Sequence, residues 1–196
     1  KTRPHGMLRS VPEEEWRRYR DKSQFKVTML STHPSVKTLG RDSFFGFDSI
    51  THIFLGDSVK KVSSGSFSCC QNLKYVELSK HIKIINKRTF SGCSRLEKIK
   101  MPNVEVINSE AFYRCISLKT LIIPDTIKYV DEFTFVSRYW YDKAPHFCGN
   151  MYNTYKSPTL TVLFPENFKT LHIKVPKDVK FTTWKKINIP KSELKL

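Results

Sequence analysis

Phenylalanine recurs in this chain at almost constant intervals. It stands at positions 44, 67, 90, 112 and 135, so that successive intervals are 23, 23, 22 and 23 residues. Apolar residues recur with it in six further columns, eight and five residues before each phenylalanine and three, six, nine and eleven residues after it. No single unit of this length could bury its own apolar columns, whereas stacked neighbouring units share one continuous core. The period therefore predicts a solenoid.

The spacing within a unit indicates two kinds of local structure. The columns at the phenylalanine and at three and six residues after it contain mostly Phe, Cys and Leu, and a spacing of three places them on one side of a short helical or 3₁₀-like turn. The columns at nine and eleven, such as Val76 and Leu78, alternate with a period of two, which is typical of a strand with one buried face. We expect an α/β repeat fold with a parallel β-ladder and short helical or 3₁₀ turns on the convex side.

Two of these units carry a family resemblance. Residues 88–102 (RTFSGCSRLEKIKMP) and 110–124 (EAFYRCISLKTLIIP) resemble the repeat consensus of the BspA-like leucine-rich-repeat family, aFxxCxxLxxIxIP. The similarity covers about residues 35–135, and residues 171–176 with Trp184 and 187–189 resemble a terminal unit more weakly. The resemblance implies a curved solenoid, extracellular or on a cell surface, that acts in adhesion or protein binding and catalyses no reaction. An intracellular location stays open.

The pattern divides the chain into four segments, with non-repeat caps at both ends. Residues 1–34 form an N-terminal lead and cap, in which Ser10 to Glu13 resembles a capping box; we expect a helix at about 11–22 and a strand at about 25–30. Residues 35–135 are the repeats. Residues 136–158 are an aromatic-rich insertion loop, and residues 159–196 are a C-terminal repeat-like cap in which the ladder resumes.

The insertion begins where Arg138 replaces the residue expected in the cysteine column. Tyr139, Trp140 and Tyr141 follow it, and aromatic side chains on a loop are effective anchors for a partner. The alternative interpretation is that these aromatics fold back and cover the end of the solenoid.

Charge favours acidic partners. The chain has 34 Lys and Arg against 18 Asp and Glu, a net charge of +16, and most of the excess lies in residues 1–40 and 156–196. Such a field attracts sulfated glycans, nucleic acid, anionic membrane surfaces or acidic proteins, although a solvated lysine-rich surface would have the same composition. No apolar stretch approaches the roughly 20 residues of a membrane-spanning helix, and no leader sequence is recognisable.

Cysteine usage suggests packing and not chemistry. Cys70, Cys93 and Cys115 share one repeat column, so we expect small, weakly polar core residues that need no disulfide. Cys69 and Cys148 are expected to be the more accessible thiols. His146 and Cys148 lack further ligands for a metal site. The motifs of nucleophilic triads, zinc proteases and phosphate loops are missing, so we expect no enzyme, no cofactor and no metal.

A partner would contact the outward positions of the ladder strands. On the predicted concave face these are Thr51, His52, Phe54, Lys74, Tyr75, Glu77, Glu97, Lys98, Lys100, Lys119, Thr120 and Ile122, with Lys169, Thr170 and His172 added if the later ladder stays in register. Aromatic and apolar residues among charged ones suit a protein partner. The alternative is electrostatic binding of an acidic glycan or nucleic acid by the basic termini. The pattern indicates no oligomeric state.

Overall fold

The computed structural model describes residues 28–135, 160–166 and 168, and the backbone of 179–183. These residues form short strands separated by turns. In chain order the strands are β1 Met29–Ser31, β2 Thr38–Leu39, β3 His52–Phe54, β4 Lys61–Val62, β5 Tyr75–Glu77, β6 Ile84–Ile85, β7 Lys98–Lys100, β8 Val106–Ile107, β9 Thr120–Ile122, β10 Tyr129–Val130, β11 Leu160–Phe164 and β12 Val179–Thr183. Together they form a parallel β-solenoid of about four turns.

The predicted strand columns form a parallel ladder, which we call the first ladder. Strands β1, β3, β5 and β7 pair in that order, and β9, β11 and β12 form the continuation. Each register step equals one repeat, since His52 pairs with Tyr75 and Tyr75 pairs with Lys98. Adjacent strands therefore place equivalent residues side by side, which confirms the parallel ladder.

A second ladder was not predicted. Two-residue strands pair in parallel on another side of the solenoid, β2 with β4 and β6 with β8 and β10. Each consists of an outward residue six before the phenylalanine and the buried residue of the column five before it. Only two outward residues separate the buried columns at eight and five before the phenylalanine, which is too short a segment for periodicity to reveal as a strand.

The core follows the predicted columns. Phe67 and Phe90 are fully buried, and Phe112 is only 3% exposed. Consecutive phenylalanine rings stack with centroids 5.3, 5.8, 5.9 and 6.3 Å apart along the series from Phe44 to Phe135. The prediction that these rings are buried and aligned above one another is confirmed, so the repeats share one interior.

The prediction of helical or 3₁₀ turns is not confirmed, because no helix is present in the part of the chain that the structure describes. The spacing of three arises from consecutive β-turns, in which the amide of Cys70 donates to the Phe67 carbonyl and that of Leu73 to the Cys70 carbonyl. Residues two before and two after the phenylalanine have positive φ in successive units: Asp42, Gly46, Gly65, Cys69, Arg88, Gly92, Glu110 and Arg114. A left-handed residue interrupts a right-handed helix, so the turns cannot continue into one.

The cysteine column has a defined hydrogen-bonding role. Each thiol donates to the carbonyl of the phenylalanine one unit earlier: Cys70 to Phe44 at 3.1 Å, Cys93 to Phe67 at 3.1 Å and Cys115 to Phe90 at 3.2 Å. All three are buried free thiols, as predicted. A small side chain with a donor fits this position because it both fills the turn and ties neighbouring units together.

The expectation that Cys69 is accessible is wrong. Its side chain is 2% exposed and it is disulfide-bonded. The left-handed φ of 60° turns the residue into the stack of turns, where its amide donates to the Ser91 carbonyl at 2.7 Å. The remaining cysteine of the sequence, Cys148, lies outside the described residues.

The structure describes only parts of the predicted end segments. Met29–Ser31 overlaps the strand expected at about 25–30 and pairs in register with β3, so it extends the first ladder. The helix expected at about 11–22, the insertion at 136–158 and the terminal unit at 171–176 and 187–189 lie outside the described residues. Strand β11 lies within residues 159–196, where we expected the ladder to resume, and pairs in parallel with β9.

Candidate functional site

The outward residues of the first ladder form one continuous surface, which we call the ladder face. It consists of the twelve residues predicted to contact a partner: Thr51, His52, Phe54, Lys74, Tyr75, Glu77, Glu97, Lys98, Lys100, Lys119, Thr120 and Ile122. All are exposed or half-buried, whereas the residues between them, Ile53, Val76 and Leu121, are fully buried. The pleat of each three-residue strand separates these two sets, because successive side chains point to opposite sides.

Three rings cluster at one end of the ladder face. His52 and Phe54 lie on β3, and Tyr75 lies beside them on β5. The ring of Phe54 is 5.5 Å from that of Tyr75 and 6.4 Å from that of His52, and His52 and Tyr75 are 6.2 Å apart, centroid to centroid. We call these residues the ring cluster. Half-buried rings held against one another lose little side-chain entropy on binding, which suits them to anchor a partner.

Charged side chains border the ring cluster on the next strands. Lys98 lies in register with Tyr75, and Lys100 lies in register with Glu77. The Tyr75 hydroxyl donates to Glu77 Oε2 at 3.0 Å, and Lys100 Nζ is 3.9 Å from the same oxygen. Burial, followed by the hydrogen bond to Glu77, raises the pKa of Tyr75 to about 12. The phenol therefore remains a neutral donor over the physiological pH range.

A groove of about 330 Å³ opens beside the ring cluster. Phe54 and Glu77 line it from the ladder face, and Ser31, Leu78 and Pro102 line it from neighbouring segments. An ion pair of 2.7 Å between Lys80 and Asp57 stands on its rim. The groove gives the otherwise regular ladder a recess with an aromatic wall and a carboxylate.

Sequence reasoning missed three residues that occupy ladder positions. Met29 lies in register with His52 and is 59% exposed, and the interval of 23 residues between them was available as a signal. Thr161 and Leu163 continue the ladder beside Thr120 and Ile122, but Leu163 is only 2% exposed and is not part of the open surface. The sequence predicted that the ladder resumes here, but the insertion changes the spacing, so the repeat period could not assign these two residues to their register positions.

Other predicted site residues are not placed by the structure. Tyr139, Trp140 and Tyr141 lie outside the described residues, as do Lys169, Thr170 and His172. Within the described residues, no group of three or more metal-binding side chains is present. The same part of the chain contains no helix that is long and apolar enough to cross a membrane.

The parallel ladder, the stacked phenylalanines and the open outward face define a leucine-rich-repeat solenoid, a class whose members are typically non-enzymatic binding proteins. The particular family follows from a match of residues 21–139, in six copies, to the model of the BspA type leucine rich repeat region. The chain belongs to this family. Among curated proteins, no sequence matches the chain.

Solved bacterial leucine-rich-repeat proteins share the fold. A leucine rich repeat protein of T. pallidum is 20% identical with a TM-score of 0.58, over 72% of this chain and 60% of that one. One from Bacteroides ovatus is 20% identical with a TM-score of 0.55, over 91% and 39%. A leucine rich cell surface protein from Faecalibacterium prausnitzii is 22% identical with a TM-score of 0.52, over 56% and 33%. The match therefore spans about a third to three fifths of those chains.

Proposed function

We propose that this chain is a non-enzymatic module that binds a protein partner through the ladder face, with the ring cluster as its anchor. The observation that carries the proposal is the contact among His52, Phe54 and Tyr75 on an outward surface. A solenoid buries its own apolar columns internally, so three rings grouped on the outside are more than the shared core requires. Aromatic anchors surrounded by a polar rim are the usual composition of an energetically important interface centre.

The charged border supports a protein partner over a polymer of one charge sign. The ladder face has four lysines and two glutamates, and the two signs alternate around the ring cluster. A partner with both acidic and basic side chains around an apolar contact would match this pattern, since complementary charges set orientation and encounter rate. Met29 beside His52 extends the apolar part of the surface.

We further propose that the module acts at a cell surface or in a secreted state, in adhesion. Two findings support this location: a structural neighbour is described as a cell surface protein, and the chain belongs to the BspA type of leucine-rich repeats. The disulfide at Cys69 supports it independently, because disulfides persist mainly in oxidising compartments. Binding of an acidic polymer by the basic termini remains a prediction from charge, since most of those residues lie outside the described part of the chain.

An interaction screen with three proteins tests the ladder face. The wild type is compared with a Tyr75→Ala, Lys98→Glu double variant and with a matched control, Tyr129→Ala with Lys87→Glu. The control makes the same two chemical changes away from the ladder face, at Tyr129, which is 50% exposed, and at Lys87, which is half-buried. We expect a protein partner that the wild type and the control retain and the ladder variant loses. Equal recovery of every partner by all three proteins would refute the proposal.

The strength of the effect is also predictable. Truncation of an aromatic residue at an interface centre costs about 2 kcal/mol or more, which corresponds to roughly thirtyfold in Kd. The loss should persist at moderate salt, because an anchor of this kind depends less on charge than a purely electrostatic contact does.

A further inference from the structure

The second ladder displays a row of lysines that the proposed function does not use. Each unit contributes two outward residues there, seven and six before its phenylalanine. Across five units these ten residues are Lys37, Thr38, Lys60, Lys61, Lys83, Ile84, Glu105, Val106, Lys128 and Tyr129. Five are lysines and one is acidic. We call Lys37, Lys60, Lys61, Lys83 and Lys128 the lysine row.

Backbone pairing sets the spacing of the row. The amide of Lys60 donates to the Lys37 carbonyl at 2.9 Å, and the amide of Lys128 donates to the Glu105 carbonyl at 2.8 Å. Neighbouring units therefore stand one strand apart, about 4.8 Å, and five units extend roughly 20 Å. All five lysines are exposed, so the ammonium groups form a regular linear array on one side of the solenoid.

The charge of this array is only partly compensated. Glu105 lies between two lysines, with Oε1 3.1 Å from Lys83 Nζ and Oε2 2.6 Å from Lys128 Nζ. Within the described residues, no carboxylate pairs with Lys37, Lys60 or Lys61. Like charges on adjacent strands repel one another, and this half of the row keeps three of them together. A bound anion would relieve that repulsion.

We propose that the lysine row binds a linear polyanionic carbohydrate, such as a sulfated glycan. The periodic positive array suits a polymer with regularly repeated negative groups, and Thr38 adds a hydroxyl that could bond with it. Single-stranded nucleic acid usually also stacks its bases on aromatic rings, and Tyr129 is the single aromatic residue among the ten positions.

This site is distinct from the ladder face. The ten positions of the second ladder have five lysines against one glutamate, whereas the twelve of the ladder face have four lysines against two glutamates. The proposal also differs from binding through the basic termini, because the lysine row lies inside the repeats, and all of its lysines except Lys37 lie in the part of the sequence with the more balanced charge. One chain could therefore hold a glycan on one side and a protein on another.

Heparin binding over a series of salt concentrations tests the proposal. The test variant is Lys37→Ser, Lys60→Ser, Lys61→Ser, and the matched control is Lys74→Ser, Lys98→Ser, Lys119→Ser on the ladder face. Both lower the net charge by three at exposed positions. If each lost contact reduces the slope of log K against log salt by about 0.7, as for flexible polyanions, the test variant loses roughly 2 in slope and roughly a hundredfold in affinity at 0.1 M salt. The control should change little.

Three results would overturn the proposal. Equal weakening of both variants would show a response to net charge alone, and unchanged binding of both would place the affinity elsewhere, for example in the termini. Duplex or single-stranded DNA that binds as tightly as heparin, with the same loss in the test variant, would show that the ligand class is wrong. Circular dichroism checks that each variant is folded, and the single change Lys60→Glu provides a milder test at one exposed side chain. Failure here leaves the ring cluster and its screen unaffected.

Discussion

The stack of phenylalanines predicts how stability depends on position along the solenoid. Phe90 is fully buried and its ring lies between two others, 5.8 Å from Phe67 and 5.9 Å from Phe112. Phe135 is 5% exposed and stacks on Phe112 alone, at 6.3 Å. Leucine at either position keeps an apolar side chain but removes the ring, so the two substitutions differ mainly in the number of stacked contacts that they remove.

The magnitudes follow from this count. A stacked aromatic pair contributes about 0.5–1.5 kcal/mol beyond its buried area. Phe90→Leu removes two pairs and should lower the free energy of unfolding by about 1–3 kcal/mol, whereas Phe135→Leu should cost about half as much. For a chain of this size, 1 kcal/mol shifts Tm by about 2–4 °C, so Phe90→Leu should lower Tm by roughly 2–12 °C.

Urea and thermal unfolding, followed by far-ultraviolet circular dichroism, measure both values. Identical urea dependence of the unfolding free energy in the three proteins would show that the comparison concerns stability and not a change in the unfolded state. A Phe135→Leu variant destabilised as much as Phe90→Leu, or a Phe90→Leu variant within about 0.5 kcal/mol of the wild type, would refute the reasoning. Interactions between neighbouring units would then not determine stability.

Three further predictions concern the turns, the thiols and the ring cluster. Gly65→Ala should lower the free energy of unfolding by about 1–2 kcal/mol, because Gly65 has a φ of +67° and a Cβ there would lie 1.9 Å from Asp42 Oδ1. The control Gly40→Ala should change it little, because a Cβ at Gly40 would have no atom within 4 Å. Denaturant unfolding of both variants measures the difference, and equal losses would contradict the prediction. Cys70, Cys93 and Cys115 should react with an alkylating reagent only after unfolding, because all three are buried free thiols and burial raises the pKa of Cys93 and Cys115. Cys69 should stay unmodified until reductant is added, because it is disulfide-bonded; mass spectrometry of peptides locates the modified residues, and alkylation of Cys69 without reductant would contradict the prediction. Tyr75 should titrate at about pH 12 in the folded protein. Its contribution therefore makes the folded state less stable as pH rises above about 10, the pKa of an unfolded tyrosine. Ring chemical shifts, assigned with Tyr75→Phe, measure the pKa of Tyr75, and Glu77→Gln should lower it.

The ladder face could be predicted because periodicity assigns each residue to a side of the strand. Ile53 and Val76 repeat at intervals of 23, and the residues beside them must then point outward. The pattern does not show which outward residues touch. That Phe54 and Tyr75 lie 5.5 Å apart depends on strand register, and register follows from how whole units stack. The ring cluster is therefore a property of two neighbouring repeats and of neither alone.

The turns show where one-dimensional reasoning failed. Columns three apart fit a helical turn, but consecutive β-turns satisfy the same spacing. The choice depends on backbone angles at Arg88 and Glu110, which are 58° and 59°. These residues have no strong intrinsic preference for positive φ, so the positive φ values could not be predicted from the residue types. Their side chains form an ion pair, with Glu110 buried, and that contact exists only once the units are stacked.

The sequence by itself determined the architecture of this protein, because an apolar period of 22 or 23 residues leaves no unit able to bury its own columns and so requires stacking. Tertiary structure alone decided the shape of the turns, the existence of the second ladder and the grouping of side chains on both faces. Hydrogen bonds between units create these features, such as those from Cys93 to Phe67 and from Lys60 to Lys37. Bonds of this kind join residues about 23 to 26 positions apart, beyond the range over which local sequence pattern constrains conformation.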